Sequence, residues 1–450
     1  MAPPTRPVPE AVILGTALVL RVVWLVATRH LLLVNDPADY QRLAVSIAAG
    51  HGFGPTVVAP GGGPTAFRPP LWPLFLAGLY WLIGVHVTVA RAVEVVLGTL
   101  SVGLIGGLAA QLWSRGPARV AMGLAAVYPP LLLAGGSLLS ESLSLPLELG
   151  TLAAALAARR SPRPARWILA CGVGCGLDIL CRPDSFVLLV PVCLLVAVPW
   201  RWPGRAAAGR RSGVSPRLAA PAVVVVLAGL TVTPWLIRDA VVMHRFVPVT
   251  TQGGLVASGT YNATSADDPL HPAEWRPADL VPGYLRLLRG DEVTEEAALR
   301  RASLHYIAEH PLYPLRASAW NLLRLFDLTG LSDPRASWAA NGYGPGLADL
   351  DAVGLAGVVV LGLIGVVVLG LIGVSTSLGR RSRPGGKGAW PSRPGTWPVW
   401  LAPLLLAAVT VPVLGESRLR AGIDPFLILA AVPGVWAVGQ AITRRRVAAR

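Results

Sequence analysis

Residues 69–86 read Pro-Pro-Leu-Trp-Pro-Leu-Phe-Leu-Ala-Gly-Leu-Tyr-Trp-Leu-Ile-Gly-Val-His, and whether this stretch crosses a bilayer decides the topology of the whole chain. A helical crossing of about 30 Å of hydrocarbon takes roughly 17 to 25 residues. This stretch opens on Pro69-Pro70, contains Pro73, and has only about fifteen residues before Gly84. Ten further apolar blocks surround it, at 11–28, 91–113, 118–137, 140–158, 167–181, 185–200, 217–237, 353–377, 398–414 and 421–440. Blocks of that length predict membrane-spanning helices.

The composition agrees. Of 450 residues, 53% are hydrophobic and 14% charged, against roughly 25% charged in an ordinary soluble domain. The net charge of +15 comes almost wholly from arginine in short runs between apolar blocks, the pattern that orients a membrane protein. No DNA- or RNA-binding motif accompanies these runs, so nucleic acid is not an expected partner. Cys171, Cys175, Cys181 and Cys193 all fall within two adjacent apolar blocks and are expected to serve packing. Lys387 is the sole lysine, and the abundance of Ala, Arg, Gly and Pro hints at a high-GC bacterial genome.

The arginine-rich connectors at 159–166, 201–217 and 380–393, and the tail Arg444-Arg445-Arg446, belong on the cytoplasmic side. Residues 238–352 then face outward, as do the corners at Ser140-Glu141 and Arg182-Pro183-Asp184. Parity places both termini inside only if 69–86 stays at the outer face as an interfacial or re-entrant helix. The expected fold is an all-α polytopic membrane protein of about ten transmembrane helices plus that interfacial helix. A cleaved signal peptide is the rival for 11–28, but no small-residue cleavage site follows before Arg29-His30. The glycine-spaced stretch 356–374 permits close helix packing, and 380–396 reads as a flexible cytoplasmic linker.

Working outward from 69–86, the first outer loop, 29–90, contains Asn35-Asp36-Pro37-Ala38-Asp39-Tyr40-Gln41-Arg42, then Gly50-His51-Gly52-Phe53-Gly54, and ends Phe67-Arg68-Pro69-Pro70-Leu71. Asp36 before Pro37 predicts the cap of a short helix carrying Tyr40, Leu43, Ala44 and Ile47 on one face. Arg68, Arg182, Arg238, Arg418 and Arg420 all fall at predicted outer ends of spans or of the interfacial helix, where positive-inside statistics disfavour arginine. Two readings stand for each: snorkelling to headgroups, or binding a phosphate bidentately while staying charged.

An Asp followed four residues later by Tyr, a Gly-x-Gly-Phe turn and a basic-Pro-Pro-Leu entry into an apolar helix resembles the multispanning GT-C glycosyltransferases. The branch is that of the protein mannosyltransferases and the lipid A aminoarabinose transferase. Tyr128-Pro129-Pro130 ahead of Ser140-Glu141, Leu180-Cys181-Arg182-Pro183, Pro234-Trp235-Leu236-Ile237-Arg238-Asp239, and Glu416-Ser417-Arg418-Leu419-Arg420 before Asp424-Pro425-Phe426 follow in order. The resemblance covers 12 to about 250 and the last two spans; 255–350 matches nothing recognised.

The resemblance implies a GT-C-like transmembrane catalytic module over 1–250, an extracytoplasmic loop region at 238–352, and C-terminal transmembrane helices over 353–450. It implies an inverting glycosyltransferase in the plasma membrane, taking a sugar from a polyprenyl-phosphate donor to a glycan, lipid or protein acceptor outside. Asp36 takes the base role, with Asp39 its rival because many relatives carry Asp-Glu where this chain has Asp36-Pro37. Arg68 aligns with the basic residue before Pro-Pro-Leu, and Asp39, Tyr40, Arg68, Glu141, Arg182, Arg238, Arg418 and Arg420 are the candidate substrate-binding set. Glu141 stands where some members place an acid beside a divalent cation, although the helix dipole also favours a carboxylate there. Glu148 is an intramembrane carboxylate on the same helix face. Asp178 and Arg182, four apart, are placed to pair with each other. His51, His244 and His271 lack ligand spacing and read as ordinary loop residues. A flippase or transporter of lipid-linked sugars and a glycan polymerase using a diphosphate donor are the alternatives; the former would need polar broken helices at mid-depth.

Overall fold

The structure, a computed structural model, describes residues 9–54, 56, 63–197, 216–377 and 395–448, and all regular elements among them are helical. Each of the eleven apolar blocks coincides with helix. Among the described residues, four helices are long and apolar enough to cross a membrane: Glu10–Ala27, Val87–Leu112, Leu218–Val242 and Pro345–Ile364. Shorter apolar helices include Leu71–Ile83, Pro183–Ala197, Trp397–Thr410 and Asp424–Trp436. Most of the 201–217 connector and nearly all of the 380–396 linker lie outside the described residues.

The decisive stretch forms the helix Leu71–Ile83, 13 residues long, about 20 Å at 1.5 Å per residue and so short of the hydrocarbon thickness. Gly84, at φ 81°, ends it, a conformation that costs glycine little. Trp72 and Leu76 are fully buried, while Trp81 and Leu82 are 75% and 71% exposed. The helix packs on Asn35–Ala48, whose face of Tyr40, Leu43 and Ala44 is buried as expected. The cap differs from expectation: helix begins at Asn35 with Val34 as N-cap, so Asp36 lies in the first turn and does not cap it.

The helix Glu141–Ala158 fixes the long axis of the bundle. Its first residue lies at the end bearing residues 35–48, and Arg159 after its last turn donates to the Gly395 carbonyl at the opposite end. Glu148, midway, is buried with it. Helix Ala165–Cys181 packs alongside, and Cys171, Cys175 and Cys181 are buried free thiols in that packing.

The expected pairing of Asp178 with Arg182 does not form. Arg182 leaves the helix in an extended conformation, φ −143° and ψ 111°, which swings its side chain away. Asp178 Oδ1 instead accepts the Ser144 hydroxyl at 2.5 Å.

Candidate active site

At the end of the bundle that carries residues 35–48, a cavity of about 530 Å³ opens between that helix, the starts of Glu141–Ala158 and the 183–188 turn, the helix Gln252–Thr260, and residues 275–277, 340–341 and 414–419. Asp36, Tyr40, Arg68, Glu141, Arg182 and Arg418 line it together. These residues come from five separate stretches of chain.

Asp36 is clamped. Arg68 Nη2 reaches its Oδ1 at 2.7 Å and Arg418 Nη2 its Oδ2 at 2.7 Å. Burial by itself would raise the Asp36 pKa, but the charges and hydrogen bonds of Arg418 and Arg68 outweigh it and hold the carboxyl well below the usual carboxylate range. Asp36 is therefore ionised throughout the working pH range, with both oxygens engaged.

Arg68 is 6% exposed. Its Nε donates to Asp39 Oδ2 at 2.7 Å, and its guanidinium lies 5.1 Å from the Tyr40 ring centroid and 4.9 Å from that of Phe67. Asp39 is fully buried beneath and does not line the cavity. Burial pushes the Tyr40 phenol up to about 12, so its hydroxyl keeps its proton. Arg418 also donates to Glu416 Oε2 at 2.8 Å and Asn341 Oδ1 at 3.2 Å. Across the cavity, Arg182 bonds Glu141 Oε1 at 2.6 Å and Asp184 Oδ2 at 3.1 Å.

Three guanidiniums thus face one chamber, each held by carboxylates.

Two candidate arginines lie elsewhere. Arg238 lines a separate open cavity with Arg42, His51 and Phe53, donating to the Thr65 carbonyl at 2.7 Å and to Asp239 Oδ1 at 2.8 Å over the Trp235 ring. Arg420 is fully buried away from the chamber, bonded to Asp424 at 2.9 Å, Asp351 at 3.0 Å, Asp327 at 3.1 Å and the Leu325 carbonyl at 2.7 Å. Its role is to hold the Ser417–Gly422 turn that presents Arg418.

Sequence reading passed over Gln252, Leu255, Trp275 and Asn341, which complete the wall; they come from 255–350 and its edge, which carries no motif. It also passed over Glu292, which accepts from Thr65 Oγ1 and Thr251 Oγ1 at 2.5 Å each and from the Ala66 amide at 2.9 Å, tying down the segment ahead of Arg68. Glu416 and Asp184 carried a signal, each two residues from the arginine it binds.

Arginines occupy both oxygens of Asp36 and Oε1 of Glu141, whose Oε2 accepts from the Ser140 hydroxyl at 3.3 Å. Among the described residues, the His, Cys, Asp or Glu group that converges as metal ligands do is His271, Glu274 and Asp333, outside the chamber.

Residues 67–235 match the family described as dolichyl-phosphate-mannose-protein mannosyltransferase. That match falls within the stretch whose motifs carry the GT-C resemblance, and the resemblance is borne out. Comparison with curated proteins finds no match. The archaeal oligosaccharyltransferase AglB from Archaeoglobus fulgidus, in complex with an inhibitory peptide and a dolichol-phosphate, superposes with a TM-score of 0.53 at 13% identity over 97% of this chain and 51% of that one. The Archaeoglobus fulgidus oligosaccharyltransferase in complex with Zn and sulfate gives 0.50 at 15% identity over 96% and 50%. ArnT from Cupriavidus metallidurans bound to undecaprenyl phosphate gives 0.41 at 16% identity over 96% and 78%. The chain spans about half the length of the archaeal structures it matches, and it shares their helical membrane fold.

Proposed function

We propose that this chain, with its GT-C-type fold, is a glycosyltransferase that moves a sugar from a polyprenyl-phosphate carrier to a hydroxyl acceptor at the extracytoplasmic face of the plasma membrane. The observation that carries the reading is the Asp36 carboxylate gripped between Arg68 and Arg418 at the wall of a chamber. A carboxylate in that grip stands where an anionic phosphate would be received. The AglB structure is of a protein in complex with a dolichol-phosphate, which supports the same donor class.

The steps follow from charge. The carrier phosphate enters and takes over Arg418 and Arg68 from Asp36, exchanging one anion for another on two buried cations. Arginine suits this exchange because its planar fork matches phosphate and it cannot lose its proton. Released on at least one oxygen, Asp36 accepts the proton of the acceptor hydroxyl as that oxygen attacks the anomeric carbon. The bond from carbon to the phosphate oxygen breaks with inversion, and its electron pair leaves on the phosphate, where the guanidiniums meet the developing charge. Phosphate leaves readily, so no separate acid is required. Asp36 rather than Asp39 takes the base role, because Asp39 is buried beneath Arg68 and has no face on the chamber. Arg182 with Glu141 forms the opposite wall and contacts sugar or acceptor. Arg238 and Arg420 stay outside the donor set. No step is assigned to a metal.

The test compares cell-envelope glycans and polyprenyl-linked sugars by mass spectrometry in a deletion strain complemented with wild type or Asp36→Asn. The expected result is accumulation of a monophosphate-linked sugar in the deletion and in the Asp36→Asn strain, with expression unchanged; removing a positioned base costs about 10² to 10⁴ in rate. Accumulation of a diphosphate-linked oligosaccharide would overturn the reading in favour of a polymerase, and full complementation by Asp36→Asn would remove Asp36 as base.

A further inference from the structure

The segment 267–277 supplies two walls of the chamber, Trp275 and Pro277, and the stretch after the helix Ser332–Ala339 supplies two more, Ala340 and Asn341. None of them lining the chamber, His271, Glu274 and Asp333 bring one imidazole nitrogen and two carboxylate oxygens within 4.8 Å of one another. We propose that this trio is a zinc site that clips the two walls together.

Three observations carry the proposal. The ligands are held in place by other bonds. Asp333 Oδ2 accepts from Arg324 Nε at 3.0 Å and from Thr329 Oγ1 at 2.7 Å, while Oδ1, toward His271, accepts only a long bond from the Ser332 hydroxyl at 3.4 Å. Arg276 Nη2 engages Glu274 Oε2 at 2.9 Å, leaving its other oxygen, and Arg324 Nη2 fastens the same loop through the Pro272 carbonyl at 2.7 Å.

The spacing is also wrong for a hydrogen bond and suited to a shared ion. His271 Nδ1 stands 3.7 Å from Asp333 Oδ1, beyond hydrogen-bond reach. Two ligands of one tetrahedral zinc, bonded at about 2.0 to 2.2 Å, sit roughly 3.4 Å apart.

The local charge, finally, is one cation short. Asp268, Glu274 and Asp333 face Arg276 and Arg324 in these contacts, so a neutral imidazole leaves a net negative cluster. One nitrogen and two carboxylate oxygens, with the fourth position open to water, is a donor set for zinc. The rival occupant is a proton on His271, which would pair that ring with Asp333.

The consequence is mechanical. Asn341 is the residue that holds Arg418 Nη1, so a metal joining 271–274 to 333 stiffens both the Trp275 wall and the anchor of Arg418.

The test uses the full chain purified in nanodiscs, stripped with chelator, then exposed to zinc chloride and desalted. Metal content by mass spectrometry and thermal midpoint are read, and neither requires a donor sugar, so failure here is separable from failure of the transfer reading. The expected result is a single zinc retained per chain, a raised midpoint, and loss of both in His271→Ala and in the shape-preserving Glu274→Gln. His305→Ala, which alters the exposed His305–Glu309 pair, should retain the metal and controls for casual surface binding. Overturning results are no zinc retained by the wild type, or equal retention by His271→Ala and Glu274→Gln. A midpoint that falls with rising pH and ignores zinc would identify the proton as occupant and likewise sink the proposal.

Discussion

Replacing Arg418 by alanine separates a working anion clamp from a static ion pair. Arg418 is 14% exposed in its side chain and bonds Asp36 at 2.7 Å, Glu416 at 2.8 Å and Asn341 at 3.2 Å. If the carrier phosphate displaces Asp36 from it, the variant loses one of two cations on the leaving group. Unit charges about 4 Å apart at an effective dielectric of about 20 interact by about 4 kcal/mol. Removal of a single preorganised oxyanion donor costs about 2.7 to 4 kcal/mol, or about 10² to 10³ in rate. The expected loss in kcat/KM for the polyprenyl-phosphate sugar is of that size, with Arg418→Lys falling between because an ammonium keeps the charge and loses the fork.

A second readout comes from pH. In the wild type the two guanidiniums overcome burial and hold Asp36 below the usual carboxylate range, so activity should show no acid limb from this group down to ordinary carboxylate pH. In Arg418→Ala burial faces one opposing cation instead of two, the Asp36 pKa rises, and the acid limb moves to higher pH. Initial rates in nanodiscs against donor concentration and pH measure both effects, with the thermal midpoint as a folding control. Unchanged kcat/KM and an unshifted acid limb in a folded variant would refute the clamp.

Glu292→Gln should weaken the tie on Thr65, Ala66 and Thr251 and so misplace Arg68. About 1 to 3 kcal/mol of hydrogen-bond energy is at stake, read as a raised donor KM with kcat less affected. Arg420→Met leaves Asp327, Asp351 and Asp424 without their shared cation; breaking such a buried cluster costs about 3 to 5 kcal/mol, read as a lowered thermal midpoint and poor expression. A folded, fully stable Arg420→Met protein would show the cluster to be held by other means.

Much of the architecture lies in the local pattern of the chain. Apolar runs of helical length set the positions of the apolar helices, and the prolines of 69–86 and its early Gly84 gave the short helix beside Asn35–Ala48, because length against bilayer thickness is a one-dimensional comparison; the polar helices of 252–339 had no such signal. Tyr40 and the acidic and basic residues Asp36, Arg68, Glu141, Arg182 and Arg418 gave six of the chamber's lining residues, because residues at the same end of a bundle are already confined to one layer.

What the sequence could not separate were neighbours whose side chains diverge. Arg418 and Arg420 are two residues apart in a 3₁₀ turn, and with about three residues per turn they point to different sides, one into the chamber and one onto three buried aspartates. Asp36 and Asp39 divide in the same way, one on the cavity and one beneath Arg68. Arg182 left its expected partner Asp178 because the backbone turned extended at one residue. His271 and Asp333 meet only because a loop folds against the first turn of the helix Ser332–Ala339. Hydrophobic period and charge order act along the chain and determined the helices and the layer; which charges face one another depended on backbone direction at helix ends and on packing between distant segments, and that the tertiary structure alone decided.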